Sequence, residues 1–276
     1  MTVKQEHELR SQNEPPRSAP TAQQLFYRVK EEILATAGSG YLEYHISNPG
    51  IGWQVARSLD CDGQVERRSV RLSYDSVAYI LSVRMPTEFH NAHLAWAHRE
   101  FALSVSGGFF TLQEYDTFIC TSDTSFDSFL PPYQNSFKQP DGYFKPAGAP
   151  CPTVVFETGY SESYPQLVAD RNLWINGTTG VNVVILLKWS LVRNRTAVKG
   201  YIEGWHRNMP TCQRFDIFPA PPPGTPAQTI TLYRRDFYLP GAVPFGRNPN
   251  DVWRWPIDSL RLKAAQTIRD SGYVPA

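Results

Sequence analysis

The residues of this chain best placed for chemistry are two carboxylates, Asp141 and Glu157, 16 positions apart. Asp141 stands in SFKQPDGYFKP, just ahead of a short strand pattern at 142–144. Glu157 ends an apolar strand pattern over 153–157. An ionised acid at the end of an apolar strand is costly unless something positive compensates it. Two acids on adjacent strand ends can face each other and share a divalent cation through oxygen. Such a cation lowers the pKa of bound water and polarises a phosphoryl oxygen. Spacing alone is equally compatible with ordinary strand-end and turn acids.

Other candidates carry weaker signals. His90 and His93 are one helical turn apart, which allows metal binding, but no third ligand matches them, and ordinary helix histidines fit as well. Ser161 and Ser163 read as turn and cap residues, and Glu162 as an acid beside the pair or in solvent. Trp205, Trp253 and Trp255 lie near Arg207, Arg247 and Arg254 and could stack bases, although core packing accounts for them more simply. Cys61, Cys120, Cys151 and Cys212 form no C-x-x-C unit, so they read as isolated thiols and not as a zinc site or disulfide framework.

These residues need elements to position them. Residues 1–20 are polar and proline-bearing and read as a disordered tail. Thr21 and Gln24 form a capping box that opens a helix with Leu25, Val29 and Ile33 on one face. Two strands span residues 68–85 with a turn at 74–76. Pro86 breaks the second strand, and Thr87 can cap a helix over 89–105, with Ala92, Trp96 and Leu103 as buried candidates. Residues 123–139 read as loop. After the Glu157 strand, Ser163 and Gln166 form a second capping box for a helix to Ile175. Val181–Leu187 has the continuous apolar run of a strand buried on both faces. This strand–helix–strand order implies a crossover in a sheet with parallel character. Further strands are expected at 198–205, 214–218 and 229–233, a proline-rich loop at 219–226, and a terminal helix at 256–268.

Composition bounds the rest. The chain has 276 residues, 41% hydrophobic, 19% charged and 13% aromatic, which suits one large globular domain over 21–276. No apolar run approaches a membrane span, and the polar N-terminus carries no signal core. A cytoplasmic or nuclear location is the default expectation. Net charge is +1, but 13 Lys and Arg face 6 Asp and Glu from Lys188 onward, against 14 and 20 before it. An acidic front and basic back fit a metal-binding half joined to a phosphate-facing half, unless folding mixes the two.

The runs KQPDGYFKP and PTVVFETGYSESYPQL resemble the core motif of fungal restriction-endonuclease-like proteins of the PD-(D/E)XK superfamily. The resemblance extends upstream through RLSYDSVAYILSVRMPTEFHNAH and downstream through LWINGTTGVNVVILLKW. It covers roughly residues 21–205, leaving 206–276 as a C-terminal extension. It implies a mixed α/β fold with a central sheet flanked by helices. It also implies Asp141 and Glu157 as ligands for Mg²⁺ or Mn²⁺, and hydrolysis of phosphodiester bonds in nucleic acid, DNA first. Two departures stand out. The family's acid after the histidine is Asn91 here, with Glu88 one turn earlier, and its lysine two residues after the second acid is Gly159. That lysine positions water and offsets developing charge. Arg171 and then Lys188 are the candidates to replace it, and an arginine cannot carry protons at neutral pH. The alternative is a catalytically degenerate nuclease fold that binds nucleic acid or another partner.

Overall fold

The computed structural model describes residues 20–38, 40–85, 91–122, 124–160, 163–192 and 196–276. The tail at 1–19, the Pro86 break, the Thr87 cap, Glu88, His90, Ser161 and Glu162 lie outside the described residues. The architecture is mixed α/β, a mixed sheet flanked by helices.

The N-terminal part runs α1 (Ala22–Ala35), β1 (Gly40–His45), α2 (Pro49–Asp60), α3 (Gly63–Glu66), β2 (Arg71–Asp75) and β3 (Ile80–Met85). The Thr21 box opens α1, with the Gln24 amide donating to Thr21 Oγ1 at 3.2 Å and the Thr21 amide to Gln24 Oε1 at 2.9 Å. Leu25, Val29 and Ile33 are its buried face. The turn after β2 falls two to three residues later than the pattern suggests. Asp75 Oδ1 accepts from the Val77 and Ala78 amides and so bends the chain at 76–79. The sequence reading passed over β1 and α2. In β1 only Tyr44 is buried, so the strand lacks a period-2 signal.

Next come α4 (Ala92–Ser106), α5 (Leu112–Asp116), β4 (Phe118–Thr121), β5 (Phe137–Lys138), β6 (Gly142–Pro146), β7 (Val154–Gly159), α6 (Tyr164–Asn176), β8 (Val183–Val192), β9 (Ala197–His206) and β10 (Gln213–Phe218). In α4, Ala92 and Trp96 are buried as expected, but Leu103, in the last turn, is 43% exposed. The last elements are β11 (Thr229–Tyr233), β12 (Val252–Pro256), α7 (Ile257–Asp270) and β13 (Val274–Pro275).

These strands form two main sheets. The smaller has the order β1-β3-β2-β5. The larger has β10-β9-β8-β7-β6-β4, with β13 on β9. Within the larger sheet β7 and β8 are parallel, joined by α6, while β6–β7 and β8–β9 are antiparallel. Strand β8 explains why its sequence is apolar throughout. Val183, Ile185 and Leu187 join the core under α4 and α7, while Val184 and Leu186 join the core under α6. Each such burial is worth about 1.5–3 kcal/mol. Trp255 lies in the first core at full burial, and Trp253 packs against it, so these two tryptophans are core residues and not stacking platforms.

Candidate active site

Strand alternation fixes which way each site residue points. On β7, Val154 and Phe156 enter the α4 side of the sheet and Val155 enters the α6 side. Glu157 follows Val155 and meets α6, where Trp174 Nε1 donates to its Oε1 at 2.7 Å. Thr158 follows Phe156 and meets α4, where its hydroxyl lies 3.1 Å from His93 Nδ1. Asp141 extends the neighbouring strand, its amide donating to the Phe156 carbonyl at 3.2 Å. Its side chain shares the α6 side with Tyr143 and Glu157.

The two acids converge. Arg84, near the end of β3, donates through Nη1 to Asp141 Oδ2 at 2.9 Å and through Nη2 to Glu157 Oε2 at 2.9 Å. Nη1 also lies 3.3 Å from the Thr158 carbonyl oxygen. Lys138, on β5, places Nζ 3.3 Å from Glu157 Oε2 and 2.6 Å from Asp170 Oδ1. The Thr158 amide donates to Asp141 Oδ2 at 2.7 Å. Asp141 is 1% exposed, and Glu157 and Lys138 are 0% exposed. Both cations therefore come from the smaller sheet, and the three acids from the larger sheet and its crossover helix.

Burial is the main influence on Glu157 and pushes its carboxyl up to about 7. Lys138 and Arg84 pull it back down, while the charges of Asp170 and Asp141 add to the rise. His93 serves the backbone beneath. Because the Asp141 carbonyl can only accept, His93 Nε2 at 3.2 Å must carry the proton, and Nδ1 then accepts from Thr158. Gly142 makes this approach feasible: a Cβ there would stand 2.6 Å from Leu94 and 3.3 Å from His93 Nε2.

Neither cation expected to replace the missing lysine reaches the pair. Arg171 donates to Asn172 Oδ1 and stacks over the Trp205 ring at 4.1 Å. It follows Asp170 on α6, and one residue of helix turns it away from the cluster. Lys188 Nζ donates to the carbonyls of Tyr160 and Trp189 at 2.8 and 2.9 Å. The motif lysine's position is crowded, since a Cβ on Gly159 would meet the Leu167 side chain at 3.0, 3.2 and 3.3 Å and Leu167 would have to shift by a few tenths of an ångström. Lys138 brings an ammonium to the second acid from another strand.

Three participants escaped the sequence reading: Arg84, Lys138 and Asp170. Arg84 carries a sequence signal, a charge inside the apolar strand ILSVRM, and buried charges require partners. Lys138 falls in the 123–139 stretch read as loop, whereas the structure places Phe137 and Lys138 in β5. Asp170 and Trp174 are one turn apart on α6 and both face the cluster.

The donor set suits a hard divalent cation. Asp141, Glu157 and the Thr158 carbonyl offer oxygen only, the choice of Mg²⁺ or Mn²⁺. Among the described residues no group of three His, Cys, Asp or Glu side chains is arranged to hold a metal. A cation would therefore rest on two carboxylates and a carbonyl, completed by water, and Arg84 presently holds one oxygen of each.

Among the described residues, five arginines after Lys188 have partners outside this cluster. Arg207 donates to the carbonyls of Ile175 and Val181, Arg214 pairs with Glu203, Arg234 and Arg247 with Glu114, and Arg261 with Asp258. A cavity of about 640 Å³ lined by Asn182, His206, Arg207, Arg235 and Phe245 lies at the start of β8 and the end of β9, and no carboxylate of the cluster lines it. No helix among the described residues is long and apolar enough to cross a membrane. Comparison with protein-family models, curated proteins and solved structures gives no match.

Proposed function

We propose that this chain is a metal-dependent phosphodiesterase with a restriction-endonuclease-like core, acting on nucleic acid, DNA first. The observation that carries the reading is the convergence of Asp141 and Glu157, from two adjacent strands, with the Lys138 ammonium beside them. The order of first acid, second acid, crossover helix and parallel strand supports it. Asp141, Glu157 and the Thr158 carbonyl hold the cation. When bound, Mg²⁺ or Mn²⁺ supplies polarisation of a phosphoryl oxygen and a water of lowered pKa. Lys138 offsets the charge that develops on phosphate and, unlike an arginine, can carry a proton. Asp170 and Trp174 keep Lys138 and Glu157 in place. His93 and Thr158 fix the two backbones that carry the acids.

A second reading is favoured by the near-complete burial of the cluster and by Arg84 on both acids. In it the nuclease fold is kept for binding, and the guanidinium has taken the cation's place for good. Calorimetric titration with Mn²⁺ separates the two. The enzyme reading expects binding that is lost in Asp141→Ala. Absence of Mn²⁺ and Mg²⁺ uptake by folded wild type and folded Arg84→Gln alike overturns it and leaves the binding module.

A further inference from the structure

We infer that Arg84 is a tethered competitor for the divalent cation, and that Asp170 is the seat to which its guanidinium moves when the cation enters. This rests on the phosphodiesterase reading, because it supposes that a cation binds between Asp141 and Glu157. The two terminal nitrogens of the guanidinium reach Asp141 Oδ2, Glu157 Oε2 and the Thr158 carbonyl oxygen, at 2.9, 2.9 and 3.3 Å. These three residues are the ones available as ligands for an oxygen-preferring ion. Cation and guanidinium cannot hold one set of lone pairs together, so one must yield.

The structure also contains a place for the guanidinium to go. Asp170 uses Oδ1 for Lys138 at 2.6 Å, while its Oδ2 is buried and makes no hydrogen bond among the described residues. Arg84 Nη2 lies 3.8 Å from that Oδ2, beyond hydrogen-bond range but inside ion-pair range. Leaving a buried carboxylate oxygen without a donor is costly. A shift of the guanidinium toward α6 satisfies that oxygen while releasing Asp141 and Glu157. The arginine then remains paired with an acid in both positions, which avoids stranding a buried charge. The cluster therefore has two paired arrangements, and the cation selects between them. A protein whose binding-competent arrangement is only partly populated binds its ligand more weakly by that fraction. Arg84 accordingly sets the cation concentration at which the site fills.

The test is Mn²⁺ titration by calorimetry of the full chain as wild type, Arg84→Gln, Asp170→Asn and the double variant, with circular dichroism as the check on folding. Arg84→Gln is expected to bind Mn²⁺ at least about tenfold tighter than wild type. Asp170→Asn is expected to weaken binding more in the wild-type background than when Arg84 is already Gln, where only its support of Lys138 is lost. If Arg84→Gln does not fold, Arg84→Lys takes its place. Nitrogen NMR of the arginine side chains in wild type then decides alone: the Arg84 Nε signal should move as Mg²⁺ saturates the site. Wild-type binding with no gain in the Arg84 variants, or an Arg84 signal that ignores Mg²⁺, overturns the exchange and leaves the phosphodiesterase reading standing. Absence of Mn²⁺ binding in both wild type and folded Arg84→Gln overturns the reading itself.

Discussion

Two buried glutamates, both bound to arginine, behave in opposite ways. Glu114 caps α5. It accepts from the Thr111 amide at 2.8 Å and hydroxyl at 3.0 Å, from Tyr238 at 3.1 Å, and from Arg234 and Arg247 at 3.0 and 2.9 Å. Burial pushes its carboxyl up, but Thr111, Tyr238 and Arg234 outweigh burial and hold it below the usual range. Glu157 has Trp174, Arg84 and Lys138, yet burial and the charges of Asp170 and Asp141 leave it raised to about 7. Around Glu114 the hydrogen bonds and the Arg234 charge outweigh burial, even though Arg234 also serves Asp251. Glu157 is fully buried and shares Arg84 and Lys138 with two other acids, so the cluster retains a demand for positive charge. A proton or a divalent cation can meet that demand, and this is why chemistry is assigned to Glu157 and architecture to Glu114.

The widest separation between the two should appear in activity. Glu157→Gln or Asp141→Asn is expected to lower metal-dependent cleavage by about 10³-fold or more, and Lys138→Met by about 10²–10³-fold, in single-turnover assays. Glu114→Gln should leave the single-turnover rate of the folded protein within about twofold. Loss of cleavage in the Glu114 variant equal to that in Glu157→Gln would erase the distinction.

Stability should show the reverse emphasis. Glu114→Ala leaves Arg234, which is 2% exposed, without its buried carboxylate. Urea unfolding is expected to register a loss of about 3–5 kcal/mol; a loss below about 1 kcal/mol would show that Asp251 and the Phe109 carbonyl suffice for Arg234.

The pH dependence sharpens the comparison further. Glu157 rises from 4.5 unfolded to about 7 folded. The folded state therefore binds the extra proton, so this group's contribution is fully present below 4.5 and is lost as pH climbs through about 7. The amount is on the order of 3 kcal/mol. Glu114 has the opposite sign, since its lowered carboxyl contributes above its unfolded value and loses that contribution as pH falls. Glu157→Gln should flatten the decline in stability between about pH 5 and 7, followed by urea midpoints across that range. An unchanged slope would remove the raised carboxyl from the account.

The smallest effects belong to the two cations that the sequence offers in place of the motif lysine. Arg171→Ala and Lys188→Met should change cleavage by less than about threefold, because each is engaged elsewhere. A larger drop would return one of them to the site.

What was legible in the sequence follows the same physics. The pattern at 141–187 reveals the acids, the crossover helix and the doubly buried β8, because strand alternation and helix caps are local rules. Asp141 and Glu157 come together as the strand order suggests. Lys138 and Arg84 were not assigned, because their roles depend on how the smaller sheet docks against the larger one, a long-range contact with no local period. Chain order points to Arg171 and Lys188, after Gly159, for the missing cation, whereas the fold supplies Lys138 from before Asp141. Strand β1 gives no alternation to follow, with a single buried residue in six, whereas α2 does carry a helical signal, an Asn48 cap, Pro49 and a face of Val55, Ala56 and Leu59.

The central claim is that Asp141, Glu157 and Lys138 form a hydrolytic centre that a divalent cation activates. The most direct test incubates wild type, Glu157→Gln and Lys138→Met with end-labelled single- and double-stranded DNA and RNA in Mg²⁺, Mn²⁺ or EDTA. The expected result is cleavage by wild type in metal alone, abolished in Glu157→Gln and strongly reduced in Lys138→Met, with both variants still folded. No cleavage by wild type of any of these nucleic acids in either metal, or cleavage that persists in Glu157→Gln, would contradict it.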